Sequence, residues 1–323
     1  MEKMMNIIEK SFLSNMSKVL LNGKKIIHSF SGGVDSAVLL YLLNKYKEKF
    51  GYTLENVYFH HGKNDICQMG DINERFTTSI SHSFDIDIKI KYLDLKKDKH
   101  GWEAVASKAR KAYFDDQIYD FRSLAHHLDD SVENIMIQFM RGAGEGTRAF
   151  QLLNKKNLRP LYNCKKSDIY VFAKENNILY NEDPTNKNTD FSRNFWRVNI
   201  FPKLEEHYPQ YREKILFFGH KQEQQHNLMR DLAVIDGLDN ISNVDFNALS
   251  YNRIHNLLYF YLKEKLSVSV QDARLVELTK MIINAKETGK KMVFDDIEFG
   301  ISLKKHKRTL MVNTLNINNG FEM

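Results

Sequence analysis

Cysteine is almost missing from this chain: 323 residues contain two, Cys67 and Cys164, far apart and in no C-x-x-C pair. A disulfide scaffold, a cysteine-rich zinc site and a cysteine-ligated cluster are therefore disfavoured, and a reducing compartment is implied. Long uncharged apolar runs are also lacking, so no segment reads as a bilayer-crossing helix. The first 21 residues are broken by Glu2, Lys3, Glu9, Lys10 and Lys18, unlike a secretory signal. Within them Ile8, Phe12, Met16, Val19 and Leu20 recur at helical spacing, as in an amphipathic helix of the fold. Internal repeats and low-complexity tracts are absent. These absences predict a soluble cytoplasmic protein.

What is present is enough to fold. Hydrophobic residues make up 42%, which rules out wholesale disorder, and the length favours two domains. Lys plus Arg number 47 against 41 Asp plus Glu, for a net charge of +6. The excess fits a polyanionic partner such as RNA, although charge alone is a weak signal.

The first half alternates strand-like and helix-like segments. Lys25–Phe30, Val57–His60, Asp85–Leu93 and Phe121–Ala125 read as strands. Ala37–Phe50, Gln68–Phe84, Trp102–Tyr119 and Ser131–Arg141 read as helices between and after them. Repeated units of this kind predict an α/β fold, a parallel sheet with helices on both faces, which binds ligands beyond the C-terminal ends of its strands. Further on, Asp168–Asn176 is expected to be a helix capped by Ser167, and Phe191 onward a helix ending at Pro202. Tyr211–Ile235 reads as one long helix. Asn247–Leu266 and Gln271–Ala285 read as helices, and Lys291–Phe294, Ile297–Lys304 and Thr309–Asn313 as short strands. The expected organisation is a catalytic domain over 1–208, a linking helix over 209–240 and a small α+β domain over 241–323.

The sharpest feature is Ser31-Gly32-Gly33-Val34-Asp35-Ser36, between a strand and a helix. Glycines let the backbone turn tightly and approach a ligand, and the freed amides with the helix N-terminus make an anion cradle. The Lys-Ser/Thr ending of a Walker A loop is missing, and Asp35 stands there instead. A carboxylate beside phosphates calls for an intervening cation, and Mg²⁺ on Asp35 answers that need. A capped Ser-Gly-Gly turn is the plainer reading. His28, in the first strand, is expected to be packed; His60 either lines the nucleotide site or is structural.

His126-His127-Leu128-Asp129-Asp130-Ser131-Val132-Glu133-Asn134 follows the fourth strand and opens a helix. Asp130 and Glu133, three apart, share a helix face and suit an ammonium group or a metal. A plain helix start, with Asp129 or Asp130 as N-cap, is compatible with that role.

The glycine loop resembles that of the N-type ATP pyrophosphatase (PP-loop) superfamily. The acidic cluster resembles the second signature of the tRNA(Ile)-lysidine synthetase family. His61-Gly62, Ala109-Arg110 with Tyr113, Arg141-Gly142 with Gly144, Glu182-Asp183-Pro184-Thr185-Asn186, Arg193-Asn194 with Arg197, and Pro202 with Leu204 match further pieces. Ser131, Asn134 and Val198 stand where that family usually has Gln, Thr and His. The resemblance covers about residues 24 to 205 and implies an adenine nucleotide alpha hydrolase-like fold. It implies a ligase that adenylates C2 of the wobble cytidine of a CAU-anticodon tRNA(Ile) and then joins free L-lysine there, using ATP and Mg²⁺. It implies nucleotide binding by Ser31 to Ser36 with His60, and metal binding by Asp35. Catalytic roles fall on Asp35, Arg110, Asp130 and Glu133. Substrate contacts fall on His127, Asp129, Asp130, Glu133, Arg141, Arg193 and Arg197. The C-terminal domain is expected to bind tRNA, and a homodimer is compatible with the sequence.

Basic residues including Arg148, Lys155, Lys156, Arg159, Lys165 and Lys166 follow the catalytic half, with Tyr162, Phe195 and Trp196 among them. As a group they suit RNA. Two competing readings stay open: another adenylating tRNA-modifying enzyme such as a 2-thiocytidine synthetase, and a non-catalytic RNA-binding protein on a degenerate nucleotide fold.

Overall fold

The computed structural model describes residues 6–60, 70–93, 102–142, 147–181, 192–268, 272–294, 297–304 and 307–314. The chain divides into two compact units, Met1–His220 and Lys221–Met323.

The first unit opens with α1 (Ile7–Met16), whose Ile8, Phe12 and Met16 are buried at the expected spacing. Then follow β1 (Lys25–Phe30), α2 (Val34–Phe50), β2 (Thr53–His60), α3 (Gly70–Phe84), β3 (Ile88–Tyr92), α4 (Trp102–Asp115), β4 (Phe121–Ser123) and α5 (Leu128–Met140). A short antiparallel pair, β5 (Leu153–Asn154) and β6 (Asn157–Leu158), has no counterpart in the sequence-based expectation. The unit continues with α6 (Lys166–Glu175), α7 (Ser192–Phe195), a π turn over Trp196–Ile200, α8 (Phe201–His207) and the start of α9 (Tyr211–Ile235).

The sheet order is β3-β2-β1-β4-β6-β5, parallel except for the last pair. From β1 the chain builds outward through β2 and β3, then returns to the other side of β1 with β4. The gap beyond the ends of β1 and β4 is thus the topological switch point, where such sheets bind ligands. Successive residues of β1 point to opposite faces. Ile26 and Phe30 pack with α1, α2 and α6 residues such as Phe12, Leu39 and Phe172. Ile27 packs with Val57, Phe59 and Phe114 on the other face. A smaller cluster joins Val132 of α5 to Phe201 and Tyr211, with Trp196 against it.

Two expectations about helix ends are corrected. Pro202 does not stop a helix; it sits in the first turn of α8, where a missing N–H costs nothing. The π turn before it absorbs the break. Ser167 does not cap α6, because the helix already begins at Lys166 with Lys165 as N-cap. The Ser167 hydroxyl turns to Asp168 Oδ1 instead.

The second unit contains α10 (Tyr251–Phe260), continued by a π turn over Tyr261–Lys265, α11 (Asp272–Asn284), and the antiparallel sheet β7 (Lys291–Phe294), β8 (Ile297–Lys304), β9 (Lys307–Thr314). Its core holds Phe246, Leu257, Leu258, Leu278, Phe299, Ile301 and Leu310. The expected helix from Asn247 begins instead as a 3₁₀ turn over Phe246–Ala248, started by the Asp245 side chain on the Asn247 N–H. Among the described residues, no helix is long and apolar enough to cross a membrane.

Candidate active site

The glycine loop leaves β1 and enters α2 at the switch point. Gly32 has φ +87°, a left-handed conformation that glycine adopts without strain. The loop closes on itself. Ser31 N–H donates to Ser36 Oγ at 3.2 Å, and Ser36 Oγ donates to the Gly33 carbonyl at 2.9 Å. The single Ser36 hydroxyl proton is then spent, so Ser31 Oγ is the donor in its 2.9 Å contact with Ser36 Oγ. Behind the loop, His28 is fully buried and its Nε2 lies 3.2 Å from the Ser36 carbonyl. Burial pushes His28 down to about 4, against the pull of the Ser36 and Ser123 backbone. On the other side, Asn181 N–H donates to the Gly32 carbonyl at 2.9 Å, and its amide reaches Asn73. Gly33 caps α2 without a side chain, so the first-turn amides of that helix face the loop's concavity.

The acidic cluster stands across the gap at the start of α5. The N-cap is His127, not Asp129 or Asp130. Asp130 works from the third helical position, accepting the His127 N–H at 3.0 Å. His127 Nε2 lies 3.4 Å from Asp130 Oδ2 and 3.7 Å from Asp35 Oδ1, so one imidazole bridges the loop and the cluster. Asp129 lies on the other edge of the same ring, its Oδ2 3.7 Å from His127 Nδ1. Its Oδ2 accepts the backbone N–H of Lys166 at 2.9 Å, and its Oδ1 accepts Arg212 Nε at 2.9 Å. This bond explains the missing cap on α6: an acid from α5 does the work.

Asp130 and Glu133 share a face and grip Arg197. Its NH2 is 3.0 Å from Asp130 Oδ1 and 2.9 Å from Glu133 Oε2, and its Nε bonds Glu133 Oε1. Burial raises the Glu133 carboxyl to about 7, with Arg197 pulling the other way. Burial also acts to raise Asp130, but the His127 ring and N–H, with Arg197, outweigh it and hold that carboxyl below its usual range. Two adjacent carboxyls thus differ in proton affinity, a pattern suited to one holding charge while the other exchanges a proton.

Other expected residues are placed as follows. Arg193 lies on α7, near enough for its charge to act on Glu133 and His126. Arg141 is the C-cap of α5, toward the far end of that helix, and so about 12 Å along the axis from Glu133 and about 17 Å from Asp130. Arg110 is on α4, where its Nε donates to the Ala106 carbonyl. His60 is buried at the end of β2, its Nε2 3.5 Å from Glu74 and its ring 4.8 Å from that of Tyr92. His61-Gly62, Gly144 and Glu182 to Asn186 lie outside the described residues.

The structure adds residues that sequence reasoning passed over or put elsewhere. Lys166, grouped with RNA contacts, sets its ammonium 2.7 and 2.6 Å from the two Asp35 oxygens. Arg212 joins Asp129 to Glu205. Arg159 Nε donates to His126 Nδ1 at 3.2 Å, and the His126 ring stacks on Phe150 at 5.0 Å. Burial pushes His126 down to about 4. Ser131 accepts the Phe150 N–H at 2.8 Å and so ties that stack to α5. A cleft of about 450 Å³ opens beside the network, lined by Asp129, Lys166, Arg197, Phe201, Glu205 and Arg212 among others. Cys164 is buried and its thiol pushed up to about 12, so it is no nucleophile.

A parallel sheet with a glycine loop at its switch point, faced by a buried acid and base cluster, defines a nucleotide-binding α/β protein. The chain belongs to the PP-loop domain family, whose profile matches residues 4–204, and such a domain implies ATP use. It is similar to the tRNA(Ile)-lysidine synthase of Persephonella marina, 33% identical over 209 residues, 61% of this chain and 46% of that one. It is similar to the enzyme of the same name from Nitrosomonas europaea, 30% identical over 291 residues, 86% and 63% of the two chains. That from Neisseria meningitidis serogroup B is 28% identical over 278 residues, 82% and 64%. The chain thus spans about half to just under two thirds of the length of these curated relatives. Its fold is shared with the U34-tRNA thiolase of Methanococcus maripaludis, at TM-score 0.51 and 21% identity, over 68% of this chain and 78% of that one.

Proposed function

We propose that the protein ligates free L-lysine to C2 of the wobble cytidine of a CAU-anticodon tRNA(Ile), converting ATP to AMP and pyrophosphate. One observation carries the reading: the nucleotide loop and the acidic cluster share a rim, with His127 3.7 Å from Asp35 and 3.4 Å from Asp130. The names of the similar proteins point to the same substrates.

ATP phosphates rest on the loop Ser31 to Ser36. The C2 carbonyl oxygen of cytidine attacks the α-phosphate, and pyrophosphate leaves. The lysine ε-amine then attacks C2, and AMP leaves as the C–N bond forms. The amine must first lose a proton. Glu133, with its carboxyl near 7 in a buried setting, is the base we assign. Asp130 stays ionised and holds the ammonium. Arg197 fills the place that the ammonium takes, so lysine competes with an internal guanidinium for both acids. Arg193 and the freed Arg197 face the anionic groups of the reaction, and catalysis is mainly positioning and electrostatics.

Mg²⁺ fits this donor set: Asp35 offers a partly exposed carboxylate at the loop, paired with Lys166. Asp35 and the substrate phosphates would hold such a hard cation, which would supply charge neutralisation. Arg110 in charge stabilisation, Arg141 in RNA contact and the 241–323 block in tRNA binding complete the proposal.

Purified protein with ATP, Mg²⁺, labelled lysine and unmodified tRNA(Ile) is expected to yield AMP and labelled RNA. Unlabelled RNA with consumption of a sulfur donor, or no AMP at all, rejects the reading.

A further inference from the structure

Asp35 and Lys166 are 131 residues apart in sequence, yet both carboxylate oxygens face the one ammonium. Lys166 is anchored at its backbone, where Asp129 holds its N–H as the first residue of α6. Its side chain is a flexible four-carbon stem, 32% exposed, that lines the cleft and sets its ammonium 5.1 Å over the Tyr170 ring. The pivot is fixed, while the charge is held by the Asp35 carboxylate and the Tyr170 face on a stem that can swing.

A dication on Asp35 would have to share the two oxygens that Lys166 now holds. Like charges in contact repel, and a dication doubles the repulsion. The ammonium and the metal are therefore alternatives, not neighbours. A displaced ammonium stays within reach of the loop, where the incoming negative charge is that of phosphate.

We propose that Lys166 is an exchangeable counter-ion of the nucleotide site. It compensates and orients Asp35, yields that carboxylate to Mg²⁺ when the metal–nucleotide complex binds, and transfers to the phosphate oxygens that become pyrophosphate. No bond is made or broken at Lys166. The inference rests on the nucleotide-loop part of the proposed function and is independent of lysine and RNA.

The test is calorimetric binding of a non-hydrolysable α,β-methylene ATP analogue to the full chain across a Mg²⁺ series, without tRNA or lysine. Lys166→Met keeps the stem and removes the charge. It is expected to lower the Mg²⁺ concentration for half-maximal analogue binding by roughly threefold or more, while weakening pyrophosphate binding about tenfold, or about 1.4 kcal/mol. Lys166→Arg, with circular dichroism confirming both folds, is expected to restore pyrophosphate affinity and wild-type Mg²⁺ dependence in large part. An unchanged or raised Mg²⁺ midpoint in Lys166→Met, or unchanged pyrophosphate affinity, overturns the proposal. Wild-type protein that binds the Mg²⁺ analogue but makes no modified RNA rejects only the lysine-ligation reading.

Discussion

Asp129 Oδ2 accepts the backbone N–H of Lys166 at 2.9 Å, so a residue in the first turn of α5 caps α6, 37 positions later in the chain. Helix caps of this chemistry contribute about 1–2 kcal/mol. Asp129→Ala is expected to lose about that much in urea denaturation, and it also leaves Arg212 without its acceptor on α5. Asp129→Asn should recover much of the stability, because an amide oxygen still accepts an N–H. Equal losses in both variants would show that the cap is unimportant.

Arg197 answers two acids, one of them 1% exposed. Removing one partner of a buried pair costs about 3–5 kcal/mol, and the lower end applies here because Arg197 is partly exposed. Arg197→Ala should therefore lose about 3 kcal/mol at pH 8. At pH 5, where Glu133 takes up a proton, the loss should be clearly smaller. Equal losses at both pH values contradict the pairing.

Glu133 predicts its own pH signature. Its folded value of about 7 lies above the ordinary 4.5. The folded state therefore binds this proton more tightly than the unfolded chain. The resulting stability is full below about 4.5 and is lost as pH rises through about 7. Glu133→Gln cannot ionise, so its stability relative to wild type should improve from pH 5 to pH 8. Parallel pH curves in chemical denaturation would remove the raised carboxyl from the account.

Gly32 and Gly33 stand side by side with different demands. A Cβ at Gly32 meets nothing closer than Phe76 at 3.8 Å, so the obstacle is its φ of +87°. Left-handed backbone costs an ordinary residue about 1–2 kcal/mol, and Gly32→Ala should lose that much. Gly33 has φ −73° with its nearest Cβ contact also at 3.8 Å. Gly33→Ala should lose less than half as much by the same denaturation assay. The reverse order would mean that contact, not backbone, governs the loop.

The sheet and the loop were legible because their signals are local. Six apolar-rich residues, two glycines and a helical repeat sit within one short stretch from Lys25 to Phe50. The acidic cluster was legible for the same reason, yet its partners were not. Lys166, Arg197 and Arg212 meet Asp35, Asp130 and Asp129 across 131, 67 and 83 residues. Pairing over such spans leaves no spacing in the sequence, so Lys166 reads as one more basic residue. The caps failed for a related reason. Ser167 is a good N-cap by type, but Asp129 supplies the acceptor from another helix. Pro202 reads as a stop because sequence does not tell the first turn of a new helix from the last turn of an old one.

The two margins of the sheet carry a consequence for handling the protein. On one side the outermost strand, β5, is two residues long and offers too few open backbone groups to recruit a foreign strand. On the other, β3 carries the exposed Lys89, paired with Glu55 at 3.1 Å, and the exposed Lys91, whose charge repels an identical strand laid alongside. Strand-to-strand aggregation between copies is thus discouraged at both borders of the larger unit, by brevity at one and by charge at the other.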